Sequence, residues 1–263
     1  MGQQVSTFQD VRPALMSDKM QRFVYDEFRT PIISLDGDGD GAPGTTGPNV
    51  FLSGGNIFEF EGVGTMDSAV LIWNADTGLL LTSNMTSDNV GIEINLGNSA
   101  GADSTTGLRS RGAYTVGTDA PYMSLNFTLA DVSGTDFCFV GFRKAEANQA
   151  AEGALTYTDY ALLAPISGDI KIYTSLNDGT ESITDTTQNW ADTENHTLTV
   201  KVAKTGAVTY EIDGAAPTVT AAFTFDTGDV IMPFFRIQNA TDVANGTVLK
   251  VWDSGLQSAG ASQ

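Results

Sequence analysis

One cysteine and one histidine in 263 residues leave little room for thiol or imidazole chemistry. Cys138 has no partner for an internal disulfide, and it lies in the apolar run FCFVGF at 137–142, where it reads as a small buried hydrophobe. The lone His196 excludes a histidine-rich metal centre, and any Ser-His-Asp triad would have to use it. Basic residues are scarce too. Thirteen Lys and Arg face 32 Asp and Glu, giving a charge of −19, so the cationic footprint that a phosphate backbone demands is missing and no nucleic-acid partner is expected. No apolar run approaches the roughly 18 residues of a spanning helix. The opening MGQQVSTFQDVRPALMSDKM has neither the basic start nor the apolar run of a signal peptide, so membrane insertion is not expected and a cytoplasmic origin is. No G-x-S-x-G, P-loop or dinucleotide fingerprint occurs in a strand-to-helix context.

What the chain does have is apolar residues, at 41%, with only 17% charged, a balance that folds rather than remaining disordered. The charge is unevenly placed. Residues 1–35 hold four acids and four bases, so the entire net charge lies after Leu35. A neutral arm is thus joined to a strongly acidic body, which stays soluble and repels its own kind. Within the arm, Met16, Met20, Phe23, Val24 and Phe28 approximate an apolar stripe at helical spacing, predicting one helix over residues 14–28. That stripe needs cover, either from the chain's own body or from a neighbouring subunit or larger assembly.

After Asn49 the period changes to two. Val90, Ile92, Ile94 and Leu96 alternate with polar or small residues, as do Leu125, Phe127 and Leu129, and then Leu198, Val200 and Val202. These predict strands with one wet face, whereas FCFVGF predicts a central strand covered on both sides. Gly and Asx turn signals recur at 74–78, 177–179, 204–206, 213–214 and 226–228. The expected fold is all-β: an antiparallel β-sandwich or jelly roll over residues 51–253, preceded by the arm (1–35) and a Gly/Asp-rich linker (36–50), and followed by a flexible tail (254–263).

Residues 189–225 carry a more specific pattern. Trp190, then His196 opening an alternating strand, a Lys-Thr-Gly turn, a second strand with Tyr210, and Asp213-Gly214 resemble the W…H-T-x-x-V…Y-x-x-D-G pattern of laminin-G-like and concanavalin A-like jelly rolls. The resemblance implies that the two strands are neighbours in one sheet and gives His196 a structural place near Trp190. The phrasing of FVGFRKAE at 139–146, GDIKIYTSLNDG at 168–179 and TTQNWADTENHTL at 186–198 is also similar to structural proteins of tailed bacteriophages. That likeness implies a non-enzymatic virion protein at the capsid surface, a decoration or cement protein. Its partners would be the major capsid protein or other virion proteins, and it would form a homo-oligomer, with a trimer favoured. The alternative is a lectin-like tail or fibre protein that recognises a host glycan.

Two constellations invite chemistry. Asp36, Asp38, Asp40 and Gly41 fill positions 1, 3, 5 and 6 of a calcium loop, but position 12, where a bidentate Glu belongs, is Gly47. Calcium therefore competes with an acidic hinge, and the hinge is preferred. Glu211 and Asp213 begin the E-x-D-x-x-E of jelly-roll glycosidases, but the final carboxylate is replaced by Ala216, so no hydrolase is expected. Trp73, Tyr114, Tyr122, Tyr157 and Trp252 are available for a sugar platform, with core or interface packing as the competing role.

Overall fold

Alternating apolar residues dominate the chain because each strand must bury one face, and two such faces closing on each other make a sandwich. The computed structural model describes residues 23–29, 33–35, 50–53, 56–64, 71–74, 76–81, 91–96, 113–133, 135–149, 153–239 and 246–257. Among them the chain forms 17 strands and no helix: β1 (Val24–Asp26), β2 (Ile33–Leu35), β3 (Val50–Ser53), β4 (Asn56–Val63), β5 (Leu71–Asn74), β6 (Gly78–Leu81), β7 (Gly91–Asn95), β8 (Tyr114–Thr115), β9 (Pro121–Thr128), β10 (Thr135–Lys144), β11 (Tyr160–Ile166), β12 (Asp169–Ser175), β13 (Ser182–Asn189), β14 (Asn195–Val202), β15 (Val208–Ile212), β16 (Val230–Asn239) and β17 (Thr247–Leu256). One sheet has seven strands in the order β15-β14-β9-β17-β6-β5, with β1 also on β17. The other has ten, in the order β13-β12-β11-β10-β16-β7-β4-β3-β2, with β8 also on β16. The strands pair antiparallel throughout both sheets.

The core lies between the sheets. Met123, Leu125 and Phe127 of β9 and Leu198, Val200 and Val202 of β14 meet Cys138, Val140 and Phe142 of β10 and Phe235 and Ile237 of β16. Phe127 packs edge-on to Phe235, with ring centroids 5.7 Å apart. FCFVGF is indeed a central strand, paired on both sides. Its Gly141 has φ +152°, and an added Cβ would lie 2.5 Å from the Ala161 carbonyl oxygen, so only glycine fits. Burial pushes the Cys138 thiol pKa well up, which leaves it inert.

Two expectations are corrected. The described end of the predicted helix is a strand: Val24–Asp26 pairs with Trp252–Ser254, on the edge of β17 whose other half is taken by β6. Residues 14–22 lie outside the described residues. The alternation of buried Val24, exposed Tyr25 and buried Asp26 fits this edge, and the tertiary partner overrides helical spacing. β1 and β2 therefore belong to the two sheets although the sequence puts them in the arm, and β17 runs on to Leu256. The second correction concerns β7, which is buried on both faces rather than wet on one.

The cover on that second face is the β10–β11 connection, in its described residues 145–149 and 153–159. Beneath it Glu93 accepts from Arg143 Nη2 at 2.7 Å and from Tyr157 at 2.7 Å, with Arg236 Nη1 3.7 Å away. Arg143 and Arg236 are fully buried. Further donors reach the end of β10 and the connection: Arg143 to Lys144 O, Glu146 O and Asn148 Oδ1, and Arg236 Nη1 to Gln149 O. The Arg143 guanidinium lies 4.1 Å from the Tyr157 ring centroid. Burial is the largest single influence and works against the Arg143 charge, but Glu93, Tyr157 and Glu146 together outweigh it and the pKa is raised.

Candidate functional site

Trp190, His196 and Asp213 converge at one end of the seven-stranded sheet. The β14–β15 hairpin pairs Leu198 with Ile212 and Val200 with Tyr210, so the two strands of the W…H…Y…D-G pattern are neighbours. The His196 ring sits 4.5 Å from the Trp190 ring, its Nδ1 is 2.7 Å from Asp213 Oδ2 and its Nε2 is 3.3 Å from Glu194. Asp213 Oδ1 also accepts the Thr197 N–H at 2.8 Å. Asp213 and Gly214 both take positive φ, 52° and 80°, which reverses the chain tightly after β15. Trp190 and Tyr210 are buried, and this arrangement closes the end of the core.

The outer face of the seven-stranded sheet is built from the polar half of the same alternation. Strand β9 reads buried/half-buried four times over, which turns Tyr122, Ser124, Asn126 and Thr128 outward. One cross-strand row runs Tyr25–Asp253–Ser124–Thr199–Glu211 over β1, β17, β9, β14 and β15. A neighbouring row is Gly255–Tyr122–Lys201–Thr209. The face is knitted together: Ser124 to Thr199 at 2.8 Å, Asn126 to Thr197 at 2.9 Å, Tyr122 to Asp253 at 2.7 Å and Lys201 to Glu211 at 2.5 Å. Burial and the Asp253 carboxylate together hold the Tyr122 hydroxyl well above the usual range, so it stays a donor. This face is rich in hydroxyls, amides and carboxylates, half-exposed along β9 while Thr199 of β14 is buried, and among the described residues no loop covers it as one covers the ten-stranded sheet.

Val24 and Phe28 of the proposed contact stripe are buried in the chain's own core, with Phe28 5.6 Å from Phe58, whereas Phe23 is 52% exposed. Met16 and Met20 lie outside the described residues, as do Asp36, Asp38 and Asp40 of the calcium candidate. Among the described residues, no group of three or more His, Cys, Asp or Glu could hold a metal ion, and no helix is long and apolar enough to cross a membrane. The two carboxylates of the partial glycosidase motif are engaged separately, Glu211 by Lys201 and Asp213 by His196. Of the platform aromatics, Tyr114, Tyr157 and Trp252 are buried, Trp73's side chain lies outside the described residues, and Tyr122 alone is on the outer face. Tyr25 and Asp253 were not picked out by sequence reasoning. Tyr25 lay in a predicted helix, and the alternation of Asp253 is hidden by an irregularity in β17 between Leu249 and Val251.

No protein-family profile and no curated protein sequence matches the chain. Solved structures do. A protein of unknown function from Shewanella oneidensis MR-1 is similar over 100% of this chain and 99% of its own, with a TM-score of 0.51 and 9% identity. The carbohydrate recognition domain of Emp47p aligns over 76% of this chain and 89% of its own, with a TM-score of 0.45 and 14% identity. The binding domain of botulinum neurotoxin DC in complex with rat synaptotagmin II aligns over 87% of this chain, with a TM-score of 0.45 and 10% identity. The chain spans about half the length of the toxin structures it matches, 48% in that case. At this identity the likeness to the Shewanella protein is one of fold: an all-β antiparallel sandwich.

Proposed function

We propose that this protein is a non-enzymatic recognition domain that binds carbohydrate through the outer face of its seven-stranded sheet. The observation that carries the reading is the row Tyr25–Asp253–Ser124–Thr199–Glu211, which lines donors and acceptors across five strands of a sheet face that no loop covers among the described residues. Saccharides present closely spaced hydroxyls, and a surface of fixed hydroxyls and carboxylates matches them without a deep cleft. A hydrolase would need two carboxylates free to act on one bond. The pair in the sequence motif is instead tied to Lys201 and to His196, which favours binding over catalysis.

A glycan array probed with the whole chain tests the proposal. Retention of defined glycans, lost when Ser124→Arg lays a long charged side chain across the middle of the face, supports it. Retention unaffected by that substitution, or none, refutes it.

The resemblance to phage structural proteins supplies a setting, in which the domain is displayed on a virion and the segment before Phe23 contacts the capsid or another virion protein. Val24 and Phe28 are buried in the chain's own core, so in this setting the contact falls to the residues before them. Removal of residues 1–22 is expected to abolish attachment to particles while glycan retention persists. Particle attachment without residues 1–22 would rule out the arm as the contact.

A further inference from the structure

Asp253 differs from the other carboxylates of the outer face. Glu211 holds Lys201, and Glu27 holds Arg29 at 3.1 Å. Asp253 accepts the Tyr122 hydroxyl through Oδ1, and among the described residues no cation forms an ion pair with it. Directly across from it on one side is Tyr25, 48% exposed, and on the other Ser124. Two residues along β17, on the same side of the strand, Gly255 stands opposite Tyr122 and brings no side chain to the face. Phe23, two residues before Tyr25, is half exposed. A charged acceptor is therefore flanked by aromatic rings, beside a buried glycine that adds no side chain.

We infer that Tyr25, Tyr122 and Asp253 form the seat for an uncharged sugar ring, and that the N-terminal strand supplies one wall of it. This rests on the carbohydrate-binding reading above and names its ligand class. A carboxylate makes short, charge-assisted hydrogen bonds with a pair of vicinal hydroxyls, and tyrosine rings offer an apolar body to the C–H face of a pyranose while their hydroxyls are held by carboxylates, Tyr122 by Asp253 and Tyr25 by Glu27. Sialylated, uronic or sulfated sugars would bring like charge against Asp253 on a chain that already carries −19, and they are turned away. Because Tyr25 belongs to a three-residue strand held by the burial of Val24 and Phe28, a ligand bridging β1 and β17 also tightens the docking of that strand.

The test is an array of neutral, sialylated, uronic and sulfated glycans probed with the whole chain, followed by calorimetric titration of the best neutral binder. Wild type, Asp253→Asn, Tyr25→Ala and Tyr122→Phe are compared, with Tm measured for each. The expected result is retention of uncharged glycans only. Asp253→Asn should weaken affinity by about tenfold to a hundredfold, Tyr25→Ala should weaken it as well, and Tm should hold for both. Slower amide exchange at Tyr25 and Asp26 in the bound state would support the contribution of β1. Preference for anionic glycans, or neutral binding indifferent to Asp253→Asn and Tyr25→Ala, overturns the seat and leaves carbohydrate binding standing. Retention of no glycan overturns both.

Discussion

Asp26 in the seven-stranded sheet accepts a hydrogen bond of 2.9 Å from Ser53 in the ten-stranded sheet. The same carboxyl takes the Phe28 N–H at 2.7 Å and Asn56 Nδ2 at 3.1 Å, so a side chain only 3% exposed ties β1 to the β3–β4 hairpin opposite. Phe28, held at φ 50°, then drops into the core against Phe58, which meets Trp252 edge-on at 5.4 Å. The wall that β1 contributes to the outer face is thus anchored from beneath.

Asp26→Ala is expected to lower unfolding stability by about 2 to 3 kcal/mol, because it strands buried donors on both sheets. Urea unfolding measures this, and a loss below about 0.5 kcal/mol would mean the staple carries no stability. The same logic limits arm deletions: a truncation that extends through Phe28 removes β1 and a core ring, so a fair test of the arm ends at Arg22.

Glu93 and Arg143 form a buried pair within a larger network, and breaking it from one side leaves the other charge in the interior. Arg143→Met alone should cost about 3 to 5 kcal/mol, and adding Glu93→Leu should recover part of that loss. A double-mutant cycle on unfolding free energies reads the coupling, and strictly additive losses would show that the pair does not act as a unit.

Asp159 and Lys144 set the pH limits at the other end of the sandwich. Burial alone would raise the Asp159 carboxyl, but the Asn177 N–H, the Lys144 ammonium at 2.9 Å and the Thr158 hydroxyl outweigh it and hold it below its ordinary value. Its contribution is therefore present above the unfolded pKa of about 4 and lost as pH falls through the lower folded value. The bond to Asp159, helped by Asp229 at 3.0 Å and opposed by burial, raises Lys144, whose contribution holds below about pH 10.5 and is lost as pH rises through the higher folded value. The stability gap between wild type and Asp159→Asn should be widest near neutral pH and shrink below about pH 4. A gap that does not vary with pH would contradict this.

Asp213 needs positive φ and two acceptor oxygens at once. Asp213→Asn keeps the local conformation and one acceptor, so it should cost about 1 kcal/mol. Asp213→Val, branched at Cβ and without an acceptor, should cost at least about 2 kcal/mol. Equal losses in thermal unfolding would mean that the backbone, not the His196 and Thr197 bonds, decides the position.

The strands that could be read in the sequence are those whose alternation is long and uninterrupted. Leu125 and Phe127, Leu198 and Val200, and the doubly covered FCFVGF all pack as their periodicity implies. The turn at Lys204-Thr-Gly206 is where its glycine announces it, with φ 86°. Short elements are another matter. Nothing local distinguishes Val24–Asp26 from a helical turn, because what makes it a strand is the free half-edge of β17 more than two hundred residues away. Glu93 pairs with Arg143 across 50 residues, and each looks like an ordinary outward-facing charge until the described parts of the β10–β11 connection fold over them. The outer face follows the same rule. Tyr122 could be nominated as an aromatic, but its neighbours Tyr25 and Asp253 become neighbours only through sheet order.

The most direct test of the central claim is an amide chemical-shift titration of the whole chain with its best array-selected neutral glycan. The account predicts saturable shifts concentrated on Tyr25, Tyr122, Ser124, Thr199 and Asp253, with Glu93, Arg143 and Arg236 unmoved. Shifts concentrated anywhere else, or none at saturating glycan, would contradict it.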